Sequence, residues 1–198
     1  MITIPSLQVA KISLKGRLVP HINIEIKARC PDPQRVRAIL KQQNADFKGA
    51  DLQIDTYFNV PQGRLKLRRG NIENSLIFYN RPDRAGPKEA QVILSPVRPD
   101  SQLKEVLTRA LGVLATVEKE REIYFIGNVK FHIDALPGLG SFVEIEAIDT
   151  AGDISRAELL KQCKDYMDLL GIDKKDLVRC SYSDMVPACG ADSENDSR

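Results

Sequence analysis

The sequence has no pair of cysteines at metal-binding or disulfide spacing. Cys30, Cys163, Cys180 and Cys189 are scattered, and only His21 and His132 could join them. Neither a zinc site nor a disulfide framework is expected, and reduced thiols suit an intracellular compartment. No apolar run approaches the roughly 20 residues that span a bilayer, so no membrane-spanning helix and no membrane partner are expected. Net charge is nearly absent too. A balance of +2 over 198 residues gives no global pull towards nucleic acid, so strong electrostatics has to be local. There is no internal repeat. What remains, 42% hydrophobic and 28% charged residues, is ordinary for a globular chain, and the length suits one substantial core.

Residues 1–20 carry Lys11, Lys15 and Arg17, and the first acid is Glu25. That bias faintly suggests an import leader, but Pro5, Gly16 and the scarcity of arginine favour an N-terminal extension. The expectation is a cytoplasmic protein, with mitochondrial import as the minor alternative. From Pro187 onward the chain is small and polar, which predicts a disordered tail over 187–198. Residues 21–186 are then the folded domain.

Within that domain the hydrophobic period is mostly two. INIEIKA from Ile22 to Ala28 alternates strictly, and strands are likewise expected over 53–58, 64–69, 75–80, 91–97, 117–125 and 129–134. A last strand follows the turn Pro137-Gly138-Leu139-Gly140, with Glu144 and Glu146 on one face. Three helices interrupt the strands. Asp32-Pro33 opens the first, Pro99-Asp100-Ser101 the second, and the Ser155/Glu158 capping box the third. Arg81 to Lys88 contains two prolines and a glycine and reads as a loop, in which Lys88 is more simply a solvated lysine. The fold class expected is α+β, an eight-stranded antiparallel β-barrel or tunnel with helices packed outside.

Charge sorts by strand in a way that a solvated sheet face does not need. Arg64, Lys66 and Arg68 share one face without an acid, Lys119 and Arg121 share another, and Glu144 and Glu146 share a third without a base. If the apolar alternates lie outward under helices, these charges point into a lumen. Such a lumen calls for water, metal ions and a polyanion, because unpaired buried charge is costly. Guanidinium and ammonium groups bind phosphate oxygens, and carboxylates hold Mg²⁺ or Mn²⁺ that bridges them. Glu118, Glu120 and Glu122 alternate away from Lys119 and Arg121 and are expected on a solvated outer face.

On these motifs the chain resembles the CYTH superfamily, the triphosphate tunnel enzymes that include class IV adenylate cyclases and thiamine triphosphatases. The resemblance rests on NIEIK at 23–27, DTYF at 55–58, LKLR at 65–68, YNRPD at 79–83, KEREIY at 119–124, HID at 132–134 and GLGSFVEIE at 138–146, in that order. It implies that Glu25, Glu144 and Glu146 are metal ligands for Mg²⁺ or Mn²⁺. It implies that Lys27, Lys66, Arg68, Arg81, Lys88, Lys119 and Arg121 bind the phosphates, with Lys27, Lys66, Lys88 and Arg121 as the catalytic set. Asn23 stands where the family has a glutamate, so one negative charge is lost from the metal site. His132 reads as a polar wall residue with proton transfer as the alternative, and Tyr57 and Tyr79 read as packing residues that could instead stack on a base.

The expected function is a metal-dependent enzyme acting on a small-molecule triphosphate, most simply a phosphohydrolase. The alternatives are a class IV-type cyclase forming cyclic AMP and pyrophosphate, or a non-catalytic binding module for polyphosphate or a nucleotide. A nucleic-acid partner is disfavoured by the near-neutral charge and by the lack of aromatics among the basic residues. A monomer or homodimer is expected.

Overall fold

The computed structural model describes residues 21–186, so the expected N-terminal extension (1–20) and polar tail (187–198) lie outside the described residues. The chain runs β1 (His21–Arg29), α1 (Pro33–Gln42), β2 (Asp46–Phe58), β3 (Arg64–Arg69), β4 (Ser75–Asn80) and β5 (Lys88–Pro96). It continues with α2 (Leu103–Leu111), β6 (Val113–Ile126), β7 (Val129–Leu136), β8 (Gly140–Asp149) and α3 (Arg156–Leu169). The strands close into a barrel in the order β1-β5-β4-β3-β2-β6-β7-β8, every neighbouring pair antiparallel. Closure depends on β1, the first strand, which joins β5 on one side and β8 on the other.

Strict alternation in β1, β7 and β8 gives each strand two buried faces of opposite chemistry. Ile24, Ile26 and Ala28, Phe131 and Ile133, and Val143, Ile145 and Ala147 point outward and are covered by Val36 and Leu40 of α1 and by Leu159 and Cys163 of α3. The Cys163 thiol donates to the Ile24 carbonyl at 3.2 Å, using a small side chain where the helix rides close to the sheet. Arg37 of α1 forks onto Glu122 of β6 at 2.8 and 2.5 Å, and Tyr124 donates to the same carboxylate. Glu122 is therefore an anchor for α1 and not the solvated group expected, whereas Glu118 and Glu120 are exposed as expected.

Two boundaries differ in a way that matters for the lumen. β2 begins at Asp46, seven residues before the expected start at Gln53, with a register shift between Phe47 and Gly49. That early stretch contributes Asp51 to the interior, in phase with Gln53. Lys88 is the first residue of β5, wholly buried, rather than a solvated loop lysine. After α3 the chain returns to β1, where Val178 N donates to the Lys27 carbonyl at 2.8 Å. A short 3₁₀ turn, Tyr182–Asp184, then sends Tyr182 among Tyr57, Tyr79, Val117, Leu136 and Phe142. These residues lie where β2, β4 and β7 end and β6 and β8 begin, so the segment fills that end of the lumen.

Ile145 is fully buried between the barrel and α3. Ile145→Ala is expected to lower unfolding free energy by about 2–5 kcal/mol, the range for a cavity in a packed core. A urea titration checks this, with an unchanged slope marking an unchanged fold.

Candidate functional site

Inside the barrel the deepest acid is Asp55 on β2, opposite Arg68 in the β2–β3 register. Its carboxylate accepts from Arg68 Nε at 2.9 Å and Nη2 at 3.0 Å, from Lys66 Nζ at 2.9 Å and from Lys119 Nζ at 2.7 Å. Burial pushes the carboxyl up, but Arg68, Lys119 and Lys66 outweigh it and hold it well below the usual range. Three of the expected phosphate-binding cations thus share one fixed counter-ion. Their combined charge of about +3 exceeds what Asp55 offsets. The excess appears on Lys119, whose ammonium is pushed down to about 7 by burial, against Asp55 and together with Arg121, Arg68 and Lys66.

Next round the wall, Arg121 binds Asp134 of β7 through Nε at 2.6 Å and Nη2 at 2.5 Å, and Nη2 also reaches Glu144 of β8 at 2.7 Å. Arg121 Nη1 has no partner among the described residues. Lys27 of β1 faces the other oxygen of Glu144 at 3.0 Å. Burial again opposes ionisation of Glu144, and Arg121 and Lys27 hold it well below the ordinary value.

The acids expected to hold a metal converge beside this pair. Glu25 is opposite Glu146 in the β1–β8 register, and His132 is opposite Glu144 in β7–β8. Glu25 is bound by Arg81. Glu146 has no lysine or arginine in salt-bridge reach among the described residues, and burial with Glu144 and Glu25 nearby raises it to about 7 despite Lys130. Burial is the largest cause of that rise, and no lysine or arginine within ion-pair reach among the described residues offsets it. Asn23, on the same face of β1, is buried with its Oδ1 unpartnered, so the amide leaves a free oxygen donor where the family resemblance has a carboxylate. Glu25, Glu144, Glu146 and Asn23 fit a hard divalent cation by donor type.

Arg81 and Lys88 stand beside Glu25, Arg81 through its ion pair and Lys88 directly opposite in the β1–β5 register, and both also reach the C-terminal segment. Arg81 Nη2 donates to Ser181 at 2.7 Å, and Lys88 Nζ donates to the carbonyls of Val178 and Arg179 at 3.4 and 3.1 Å. Burial and the neighbouring Arg81 push the Lys88 ammonium down to about 8. Tyr182 donates to Asp134 at 2.8 Å, and Lys27 Nζ stands 3.3 Å from the centre of its ring. Tyr57 and Tyr79 pack with Tyr182, the second bonded to Ser181 at 3.1 Å.

The barrel therefore brings every expected site residue to one lumen. What sequence reasoning missed are the internal counter-ions: Asp55, Asp134, and Glu73, which accepts from Arg68 and Lys130 at 2.9 and 2.6 Å. DTYF and HID flagged two of these acids, but cross-strand register supplies their partners. Glu73 sits on a loop folded inward by Asp51, which accepts from the backbone of Ile72 and Glu73 at 2.8 and 3.0 Å. A Cβ on Gly70 would lie 2.5 Å from that carboxylate, which accounts for glycine there. Tyr182 and Ser181 had no sequence signal.

A family model described as the CYTH domain matches residues 21–182. A protein of Methanocaldococcus jannaschii named a candidate adenylate cyclase is 25% identical over 174 residues, covering 83% of this chain and 98% of the relative. The solved structure of a Pyrococcus horikoshii protein superposes with a TM-score of 0.69 at 23% identity, covering 83% of this chain and 99% of that one. A Hippeastrum protein, described as a candidate adenylyl cyclase with a dominant triphosphatase activity, superposes with a TM-score of 0.52 at 14% identity, covering 81% and 91%.

Asp55→Asn would leave Lys66, Arg68 and Lys119 buried without their shared anion. A loss of about 3–5 kcal/mol in stability is expected, as for removal of one partner from a buried ion pair. Denaturation with and without tripolyphosphate checks the cause, since an added polyanion should restore part of the loss.

Proposed function

Because the chain belongs to the CYTH domain family, we propose that it is a metal-dependent enzyme acting on a triphosphate-containing small molecule, with hydrolysis of the terminal phosphate as its reaction. The observation that carries this reading is the paired imbalance inside one lumen. Glu146 has no lysine or arginine in ion-pair reach among the described residues, and Lys66, Arg68 and Lys119 converge on Asp55, with Glu73 also taking Arg68. A metal triphosphate supplies both missing charges at once.

In this reading Glu25, Glu144 and Glu146, with the Asn23 amide oxygen, hold Mg²⁺ or Mn²⁺. When bound, the metal neutralises phosphate charge and lets carboxylates and phosphates share a site. Lys27, Lys66, Arg68, Arg81, Lys88, Lys119 and Arg121 bind the phosphate chain. Arg121 is fixed by Asp134 and Glu144 and offers Nη1 to a phosphate oxygen. In hydrolysis a water oxygen forms a bond to the terminal phosphorus, the bridging P–O bond breaks, and the attacking water's proton passes to the released orthophosphate. Lys88, with its ammonium pushed down to about 8, is suited to donate a proton to the departing phosphate. The walls exclude bulk water, which strengthens each of these contacts.

A cyclase is the second reading, favoured by the name of the Methanocaldococcus jannaschii relative. A ribose 3′-hydroxyl would then attack the α-phosphorus and pyrophosphate would leave. The deciding assay gives the purified protein Mg²⁺ or Mn²⁺ with ATP, thiamine triphosphate and inorganic triphosphate in turn. Orthophosphate is the expected product. Cyclic AMP with pyrophosphate would establish the cyclase reading instead, and tight binding with neither product would leave a binding module. Glu146→Gln should lower metal affinity and turnover at least about 10–100-fold while the protein stays folded.

The displaced lysines give a pH signature. An ordinary lysine keeps its charge to about pH 10.4, but Lys119 and Lys88, lowered to about 7 and about 8, lose theirs as pH rises through that window. KM for the triphosphate is therefore expected to rise between pH 7 and pH 9. Lys88→Arg should remove the part of that rise that falls near pH 8, because guanidinium stays charged. A flat KM profile from pH 6 to pH 9 would contradict it.

A further inference from the structure

His132 has no part in the reaction outlined above, yet its ring meets the acids directly. It lies in the middle of β7, 1% exposed, on the lumen face between Lys130 and Asp134. Its Nδ1 is 3.2 Å from Glu144 Oε2 and 3.5 Å from Glu146 Oε1. One ligand atom from each of His132, Glu144 and Glu146 lies within 4.8 Å of the other two. The separations of 3.2 and 3.5 Å from Nδ1 to the two carboxylates lie within the roughly 4.2 Å that two bonds of about 2.1 Å to one ion can span.

An orphaned oxygen distinguishes this from an acidic cluster alone. Asn23 Oδ1, on the lumen face of β1 two residues before Glu25, is buried and unpartnered. In His132 it is the Nδ1 edge that turns towards both carboxylates. Glu144 is already shared by Lys27 and Arg121, whereas Glu146 and the Nδ1 edge of His132 meet no cationic side chain within salt-bridge distance among the described residues. At position 23 the amide keeps an oxygen donor but brings no charge, and His132 on β7, the strand beyond β8, adds a nitrogen.

We propose that His132 Nδ1 is a direct ligand of the divalent ion held by Glu144 and Glu146, forming a mixed nitrogen and oxygen site that takes Mn²⁺ in preference to Mg²⁺. The proposal rests on the reading that these acids hold a metal. All-oxygen sets suit Mg²⁺, while an imidazole donor shifts preference to later first-row ions. Imidazole nitrogen adds a donor without adding a charge. A neutral imidazole beside a neutral amide therefore attracts a hard, strongly hydrated ion less than a set of carboxylates would.

The test uses the full chain, stripped of metal by chelation and loaded with Mn²⁺ without substrate. Pulsed electron paramagnetic resonance should show ¹⁴N coupling from a directly bound imidazole, and His132→Gln should abolish it. Calorimetry should show Mn²⁺ affinity falling about 10–100-fold in His132→Gln, with Mg²⁺ affinity changing much less. If His132→Gln fails to fold, wild-type protein carrying ¹⁵N-histidine decides, since the ¹⁴N pattern must then be replaced by that of ¹⁵N. Bound Mn²⁺ without nitrogen coupling, or coupling retained in His132→Gln, overturns the proposal and leaves the triphosphatase reading standing. Nitrogen coupling with no turnover of any triphosphate supports the proposal and overturns that reading. No Mn²⁺ binding overturns the metal assignment on which both rest.

Discussion

A carboxylate that meets no water must meet cations, and Asp55 meets three from two different strands. That constraint explains why the charges of this chain sort by strand. In a single sheet open to water, the row Arg64, Lys66, Arg68 would face solvent and need nothing beside it. Rolled into a barrel, Lys66 and Arg68 of that row are set against β2, which supplies Asp55, while Arg64 pairs with Asp83 and Asp184. The same logic repeats with Arg121 between Asp134 and Glu144, and with Arg68 and Lys130 on Glu73. Closing β1 onto β8 completes it by placing Lys27 against Glu144. Outer apolar packing under α1 and α3 stabilises this closed form, because burying charge does not.

Compensation is incomplete, and where it fails is informative. Cation excess collects around Asp55 and shows as the depressed ammonium of Lys119. Acid excess collects at Glu146 and shows as its raised carboxyl. A protein selected only for stability would have joined the two, since an ion pair across the lumen would relieve both. Held apart on separate strands, they present opposite charge to a ligand that carries both signs. A metal-bound polyphosphate is such a ligand, and neither a bare cation nor a bare anion is.

How much of this was legible in the sequence follows from which interactions are local. Alternation of period two in 22–28, 64–69 and 140–149 is a local signal, and it located those strands and assigned their faces. β2 escaped before Gln53 because Gly49 and Ala50 carry no side chain that marks a face, so Asp51, in phase with Gln53 and Asp55, was not seen as an interior residue. Lys88 was misread because the prolines and glycine before it imitate a loop that ends one residue sooner than it looks. The expected ligands and cations could be named from motif resemblance, but their pairings could not. Which acid faces which base depends on register between strands tens of residues apart, such as Asp55 with Lys119.

The C-terminal segment was the least legible part, and it does what no strand could. Ser181 and Tyr182 bring no formal charge, so they fill one end of a charged lumen without adding to the imbalance. Tyr182 satisfies two neighbours of opposite sign with one side chain: its hydroxyl donates to Asp134, and its ring face lies under Lys27. Phenylalanine would keep the second contact and leave a buried carboxylate oxygen short of a donor. Leucine would keep neither. The segment also takes up Lys88 through carbonyl oxygens, which hold a cation without cancelling it, and Arg81 through the Ser181 hydroxyl beside its ion pair with Glu25. A cation fixed by carbonyls stays available to an anion, whereas one fixed by a carboxylate is partly spent, so Lys88 is the less offset of the two.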